Sequence, residues 1–139
     1  MKSFIILRMK NKQALIEYWE KCSQMDFEAA LDLFKSQKYP HCLFFAHLAV
    51  EKRLKALYVK TNEEHSPITH NLLLLAKESG LQLSESQVVH LAEITTFNIE
   101  ARYPDEKFKF YKKCTLEFTE KYIQVIKEIL SWLKEKLSK

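Results

Sequence analysis

The stretch that decides the fold is residues 39–57, YPHCLFFAHLAVEKRLKAL. Its first half is apolar on nearly all sides, and Pro40 suits the first turn of a helix. A helix of this composition is covered by neighbours on several sides. The stretch therefore predicts a central helix over residues 40–60, with the rest of the chain packed around it.

A polar line interrupts this apolar helix. His47, Glu51 and Lys55 are spaced four residues apart, which places them on one helical face. Two interpretations stay open from spacing alone. The line is either a ladder of ion pairs that faces water or one wall of a polar groove.

Composition favours further helices outside this stretch. The chain has 139 residues with one glycine and three prolines, too few for the turns of a β-fold. Its length predicts a single domain over residues 1–139, and the ambiguous residues 1–10 are interpreted as an extension. With 47% apolar and 29% charged residues, the composition is typical of a globular domain rather than a disordered one.

Four other helices are predicted, over residues 11–37, 70–79, 84–102 and 106–137. Ser84 and Gln87 have the spacing of a capping box, and Gly80 suits the left-handed position after the short third helix. Thr69 and Asp105 are candidate caps of the third and last helices. The predicted fold is an all-α, up-and-down antiparallel bundle of four long helices plus a short fifth.

The last predicted helix has two apolar stripes side by side. The second stripe consists of Phe118, Tyr122, Val125, Ile129 and Trp132. A helix in a monomeric bundle usually needs only one stripe, so the pair predicts contact with a second subunit. We therefore expect a homodimer.

The net charge excludes few classes of ligand, and the cysteine content indicates an intracellular protein. The net charge of +4 permits an acidic ligand or a nucleic acid without requiring one. Cys22, Cys42 and Cys114 lack metal-type spacing and predict buried thiols in a reducing compartment. His65 and His70 have no evident third ligand, so no metal and no cofactor are predicted. No apolar run has the length of a signal peptide or a membrane span, which predicts a cytoplasmic protein without a membrane segment.

Residues 97–105, FNIEARYPD, gather reactive side chains at a helix end. Pro104 cannot continue the helical hydrogen bonds. Steps of three and four residues from Val88 through Ile99 place Arg102 near the apolar face, where a charged side chain needs a partner. Arg102 and its neighbours, Glu100, Tyr103 and Asp105, are therefore candidate binding residues.

Three segments together resemble the HEPN (higher eukaryotes and prokaryotes nucleotide-binding) domain family. Residues 49–57, AVEKRLKAL, resemble the A-x-E-K-x-L-K-A-L core of the family's second helix. Residues 69–72, THNL, resemble the T-H-D/N-L opening of its short third helix. Residues 100–105, EARYPD, resemble the arginine-tyrosine-proline end of its fourth helix, and the likeness spans about residues 12–136.

The resemblance implies a bundle that usually dimerises and associates with nucleotides or RNA, commonly beside a minimal nucleotidyltransferase in toxin–antitoxin or defence pairs. Many members are metal-independent ribonucleases with an R-x(4–6)-H motif. No histidine follows Arg102 within residues 103–110, so the chain departs from that pattern. His47 is the candidate for a substitute proton-transfer group.

The leading hypothesis is a binding module without the full nuclease motif. Arg102 would contact a phosphate or a partner carboxylate, Tyr103 would stack on a base, Glu51 and Lys55 would orient Arg102, and His70 would line the groove. Three alternatives stay open: a ribonuclease that uses Arg102 and His47, a purely structural dimeric protein, and a buried ion-pair network that only fixes helix register.

Overall fold

The computed structural model describes the backbone of residues 2–139 and the side chains of residues 11–139. The elements in order are α1 (Lys2–Lys35), α2 (Tyr39–Asn62), α3 (Leu72–Glu78), α4 (Glu85–Thr95), a single 3-10 turn (Ile99–Ala101), α5 (Pro104–Lys113) and α6 (Leu116–Ser138). Within residues 2–139 there is no strand, and the predicted all-α helical bundle is confirmed.

The second helix is the centre of the bundle. It contacts α1, α3, α5 and α6, and more than half of its residues are buried. Its apolar side chains include Leu43, Val50 and Leu54, none of which is exposed. Burial on several sides is what the apolar residues 39–57 predicted.

Helices α1 and α2 form an antiparallel hairpin. Gln37 has a φ of 61°, and Lys38 donates its backbone N–H to the Leu33 carbonyl at 2.9 Å, which ends α1 in one turn. The Ser23 hydroxyl donates to the Ala49 carbonyl at 2.6 Å and ties the two helices together. The backbone of α1 begins at Lys2 rather than near residue 11. The side chains of residues 1–10 lie outside the described part of the chain, and the packing of this expected extension stays a prediction.

The predicted last helix is in fact two helices, which corrects the single span over residues 106–137. The break falls at Cys114, and the Thr115 hydroxyl caps α6 by accepting the Phe118 N–H at 3.1 Å. The predicted cap at Asp105 is also wrong. Tyr103 occupies the cap position of α5 and Asp105 lies in its first turn.

The predicted fourth helix ends earlier than residue 102. The capping box of Ser84 and Gln87 is confirmed, but α4 stops at Thr95, and Leu91 and Ile94 are its buried residues. Arg102 therefore follows a 3-10 turn in extended backbone, with φ −110° and ψ 150°. The periodicity that placed it near an apolar helical face does not apply.

A buried aromatic cluster fixes the segment between α4 and α5. Phe97 is fully buried, and its ring centre lies 5.5 Å from Phe110, 5.9 Å from Phe118 and 5.2 Å from Tyr122. Aromatic rings at such separations attract one another beyond simple burial. The cluster anchors residues 96–103 against α5 and α6 and so sets the position of Arg102.

The short third helix is capped differently from the prediction. Asn71, not Thr69, is its N-cap residue, and the Asn71 side chain accepts the Leu74 N–H at 3.2 Å. The Thr69 hydroxyl instead accepts the Asn71 N–H at 3.1 Å. Gly80 has a φ of 78°, which confirms the left-handed position after this helix.

The second stripe of α6 is covered by the chain itself. Tyr122 and Ile129 are buried, while Phe118, Val125 and Trp132 pack against the same core. These contacts account for the stripe without a second subunit, and the homodimer stays a prediction.

Two of the three cysteines that were predicted to be buried are buried in the structure. Cys42 and Cys114 are buried, and burial raises the pKa of both thiols to about 12, whereas Cys22 is half-buried.

Across the described part of the chain, no helix combines the length and apolarity needed to cross a membrane. Among the described side chains, no group of three or more His, Cys, Asp or Glu residues is arranged to hold a metal ion.

Candidate functional site

A buried carboxylate at the centre of α2 holds three basic side chains. Glu51 is 3% exposed. Its Oε1 atom lies 2.7 Å from His70 Nδ1 and 3.7 Å from His47 Nε2, and its Oε2 atom lies 3.2 Å from Lys55 Nζ. The interpretation of a polar line facing water is therefore wrong, because the line is buried between helices.

The environment of Glu51 favours its ionised form. Burial acts to raise the pKa of this carboxyl, but the contacts with His47, His70 and Lys55 outweigh burial and lower the pKa from 4.5 to about 2. A carboxylate that is charged and paired in the folded state stabilises the fold wherever the unfolded chain would also be ionised. Glu51 is thus a fixed negative charge inside the bundle.

His47 lies on the inner side of this cluster. It is fully buried, and its Nδ1 atom donates to the Phe44 carbonyl oxygen at 2.9 Å, since a carbonyl can only accept. Its Nε2 atom faces Glu51 with no hydrogen-bond partner among the described residues. A side chain without exposed surface cannot touch a ligand in a surface cleft. His47 therefore belongs to the buried cluster around Glu51 and not to the lining of a surface cleft.

Lys55 extends toward α1. Its Nζ atom lies 5.2 Å from the centre of the Trp19 ring, a cation–π contact. Neither Lys55 nor Glu51 contacts Arg102 among the described side chains, where the carboxylate within ion-pair distance of Arg102 is Glu106. The predicted orientation of Arg102 by Glu51 and Lys55 is not present as a direct contact.

His70 carries the cluster to the surface. It precedes α3 on the loop after α2, and 58% of its side chain is exposed although its Nδ1 atom is held by Glu51. The hydrogen bond fixes the orientation of the ring and leaves Nε2 for a ligand. The hydrogen bond thus joins a buried charge to an exposed imidazole.

Arg102 and His70 line one cleft of about 320 Å³ between the segment before α3, the end of α4 and the start of α5. Its polar and charged lining residues are His70, Asn71, Thr95, Asn98, Arg102 and Glu106. The Arg102 guanidinium is partly exposed, and its Nη1 atom lies 3.7 Å from Glu106 Oε2. A pair this long and this exposed holds the arginine weakly.

A second cleft of about 300 Å³ lies on the other side of Arg102. It is lined by Thr96, Arg102, Glu106, Lys109, Phe110 and Lys113. Arg102 and Glu106 thus form a ridge between the two clefts. Lys109 adds positive charge to the second cleft, while Lys113 is paired with Glu93.

The remaining predicted site residues stay outside both clefts. Glu100, Tyr103 and Asp105 are exposed around the start of α5 and line neither cleft. Tyr103 is 81% exposed, so its ring is free at the rim.

The sequence of the chain matches the HEPN domain family over residues 16–137. The chain belongs to the HEPN family. No curated protein sequence matches it. Among solved structures, it is similar to the protein TT1696 from Thermus thermophilus, with a TM-score of 0.72 at 20% identity over 87% of this chain and 97% of TT1696. At that identity the likeness concerns the fold.

The three segments that carried the HEPN resemblance meet in one place. Glu51 from the second helix contacts His70 from the T-H-N-L segment, and His70 lines the same cleft as Arg102. Sequence reasoning missed Thr95, Asn98 and Glu106 as lining residues. Asn71 and Asn98 had a signal, because Asn71 belongs to the T-H-N-L segment and Asn98 to the stretch of residues 97–105.

The pairing of Glu51 predicts a specific sensitivity to acid. Because its folded pKa is about 2 and its ordinary value is 4.5, its contribution is complete above pH 4.5 and is lost as the pH falls toward 2. We expect Glu51 to account for about 3 kcal/mol of the acid-induced loss of stability. Urea unfolding at pH 7, 4.5 and 2.5 measures it.

The matched variant for this measurement is Glu51→Gln, which keeps the shape and cannot ionise. It should start less stable at pH 7 and lose less stability than the wild type between pH 4.5 and 2.5. Parallel pH profiles for the two proteins would show that other carboxylates govern the acid response.

Proposed function

We propose that this HEPN chain is a nucleotide- or RNA-binding module whose ligand phosphate contacts Arg102 in the cleft beside His70. The observation that carries the proposal is that Arg102 and His70 line one cleft while, among the described side chains, Arg102 is held only by a long ion pair. A guanidinium offers a planar pair of donors that fits a phosphate. A weakly held arginine can exchange its carboxylate partner for such a ligand.

The other polar groups of the cleft fit the remainder of a nucleotide. Asn71 and Asn98 supply donors and acceptors for a base edge or a sugar hydroxyl. His70, oriented by Glu51, adds a further donor or acceptor. Tyr103 at the rim offers a ring for stacking on the base.

The family resemblance of residues 49–57, 69–72 and 100–105 supports a proposal for the location, the oligomeric state and the protein partner of the chain. We place the chain in the cytoplasm as a homodimer, paired with a nucleotidyltransferase-type protein in a toxin–antitoxin or defence-like system. Light scattering tests the dimer, and co-purification with a nucleotidyltransferase encoded beside it tests the pair.

Titration calorimetry with nucleoside monophosphates tests the binding function. The wild type should bind at least one of them, and Arg102→Ala should weaken that binding. A structural interaction protein would instead form its protein complex and bind no nucleotide.

A second candidate function is metal-independent RNA cleavage, and the position of His70 favours it over the version with His47. The His70 side chain is largely exposed and lines the cleft with Arg102, whereas His47 is fully buried. In this reaction His70 takes the proton of a 2′-hydroxyl, whose oxygen attacks the adjacent phosphorus. The bond to the 5′-oxygen breaks, that oxygen receives a proton, and a 2′,3′-cyclic phosphate remains.

We expect any cleavage activity to depend on His70. Substituting His70 by alanine should reduce the rate on a mixed RNA in EDTA by at least about 100-fold, the usual size of general acid–base catalysis. His90→Ala is the matched control, since His90 packs against Tyr122 and lines neither cleft. Equal rates for the wild type and His70→Ala would remove the enzymatic candidate.

A further inference from the structure

A row of exposed rings lies along α5 outside both clefts. Phe108 is 63% exposed and Tyr111 is 38% exposed, and their ring centres are 6.4 Å apart. His41 of α2, also exposed, continues the row, with its ring 6.4 Å from Tyr111 and the two planes 31° apart. We define His41, Phe108 and Tyr111 as the aromatic strip.

Lysines flank the strip on α5. Lys107 lies four residues before Tyr111, and Lys112 lies four residues after Phe108, so each lysine neighbours a ring of the strip. The helix has four lysines against two acidic residues, and Glu106 is paired with Arg102. Among the described side chains, no carboxylate is within ion-pair distance of Lys107, Lys109 or Lys112.

Exposed rings bordered by unpaired cations match one class of ligand. Single-stranded nucleic acid offers flat bases that stack on aromatic rings and phosphates that pair with lysines. A second copy of the chain fits less well, because a two-fold contact through the strip would bring the same lysines together. Charge complementarity therefore selects a polyanion with accessible bases.

We propose that the aromatic strip binds single-stranded nucleic acid, extending the ligand beyond the nucleotide held at Arg102. The strip and the cleft share α5, but Phe108 and Tyr111 lie about 200° and 140° around this helix from Glu106, which lines the cleft. A strand that contacts both the cleft and the strip therefore passes around α5. The inference deepens the proposed function by naming a single strand, rather than a free nucleotide, as the full ligand.

The test compares two ligands on the wild type and four variants. The probes are a fluorescein-labelled twelve-nucleotide oligouridylate, followed by anisotropy, and uridine monophosphate, followed by calorimetry. Phe108→Ala/Tyr111→Ala should weaken oligonucleotide binding about 25-fold, as expected for two lost stacking contacts, and leave mononucleotide binding unchanged. Lys107→Gln/Lys112→Gln should reduce the slope of log affinity against log salt by about 1.4.

Tyr18→Ala is the matched control, because Tyr18 is an exposed ring on α1, 57% accessible and remote from α5 in the sequence. It should bind both ligands as the wild type does. The lysine variant removes no ring and keeps the test valid if the ring variant does not fold.

The outcomes separate this inference from the proposed function. Unchanged oligonucleotide binding in both strip variants would overturn the proposed binding role of the strip. A loss of mononucleotide binding in Arg102→Ala would still support nucleotide binding in the cleft. The reverse result, with strip variants impaired and no mononucleotide binding by any protein, would support the strip and remove the cleft. A strip variant that changes the mass in light scattering but binds the oligonucleotide normally would identify a self-association surface and overturn the inference.

Discussion

Replacing Glu51 by alanine is expected to lower the free energy of unfolding by about 4 kcal/mol, the range measured when one partner of a buried ion pair is removed. The reason is the set of contacts that Glu51 makes. It is nearly inaccessible and contacts His47, Lys55 and His70. Without the carboxylate, the buried Lys55 ammonium lies beside an empty space with no counter-charge.

The loss should be visible as a fall in melting temperature of about 12 °C for a domain of this size. Circular dichroism melts and urea titrations measure it. Glu51→Gln should fall between the alanine variant and the wild type, because the amide keeps the shape and a hydrogen bond but not the charge. Glu28→Ala, which removes an exposed carboxylate of α1, should change stability by no more than about 0.5 kcal/mol.

A wild-type melting temperature for Glu51→Ala would mean that Glu51 contributes nothing to the fold. The buried network would then have no structural role, and its only remaining role would be to orient His70. The interpretation of the network as a register device would be excluded at the same time.

The sequence predicted the fold because hydrophobic periodicity is strong where helices are long. Residues 39–57 are apolar on nearly every side, and α2 is the buried centre. The capping box at Ser84 and the left-handed Gly80 were also readable, since both depend on local backbone chemistry. At these positions the local capping signals and the hydrophobic periodicity indicated the same helices.

The break between α5 and α6 was not readable from the pattern. Apolar residues continue through Phe110, Cys114 and Phe118 at helical spacing, so periodicity predicts one helix. The signal was Thr115, whose hydroxyl caps α6, but a threonine within an apolar pattern is a weak indication by itself. Packing of the Phe97 cluster against both helices accompanies the break.

The sequence predicted several residues of the candidate site but not how they are arranged. Residue spacing selected Glu51 and Arg102, the family resemblance supported both and His70, and the leading hypothesis expected Glu51 and Lys55 to orient Arg102. In the structure α4 ends at Thr95, and Arg102 meets His70 across a cleft instead. Asn98 and Glu106 join the cleft through the path of the chain after α4, which no helical pattern determines.

Arg102→Ala is expected to weaken nucleotide binding about 100-fold, as expected when a charged hydrogen-bonding partner of a phosphate is removed. Its effect on stability should stay within about 0.5 kcal/mol, because its pair with Glu106 is long and partly exposed. Arg102→Lys keeps the charge but not the planar fork and should lose about tenfold. Lys109→Ala, on the far side of the ridge, is the control for general positive charge.

The most direct measurement takes the affinity and the melting temperature on the same preparations of wild type and Arg102→Ala. We predict a wild-type melting temperature with nucleotide binding reduced about 100-fold. A melting temperature lowered by several degrees with unchanged nucleotide affinity would contradict the binding role and make Arg102 a contact that fixes the register of the helices.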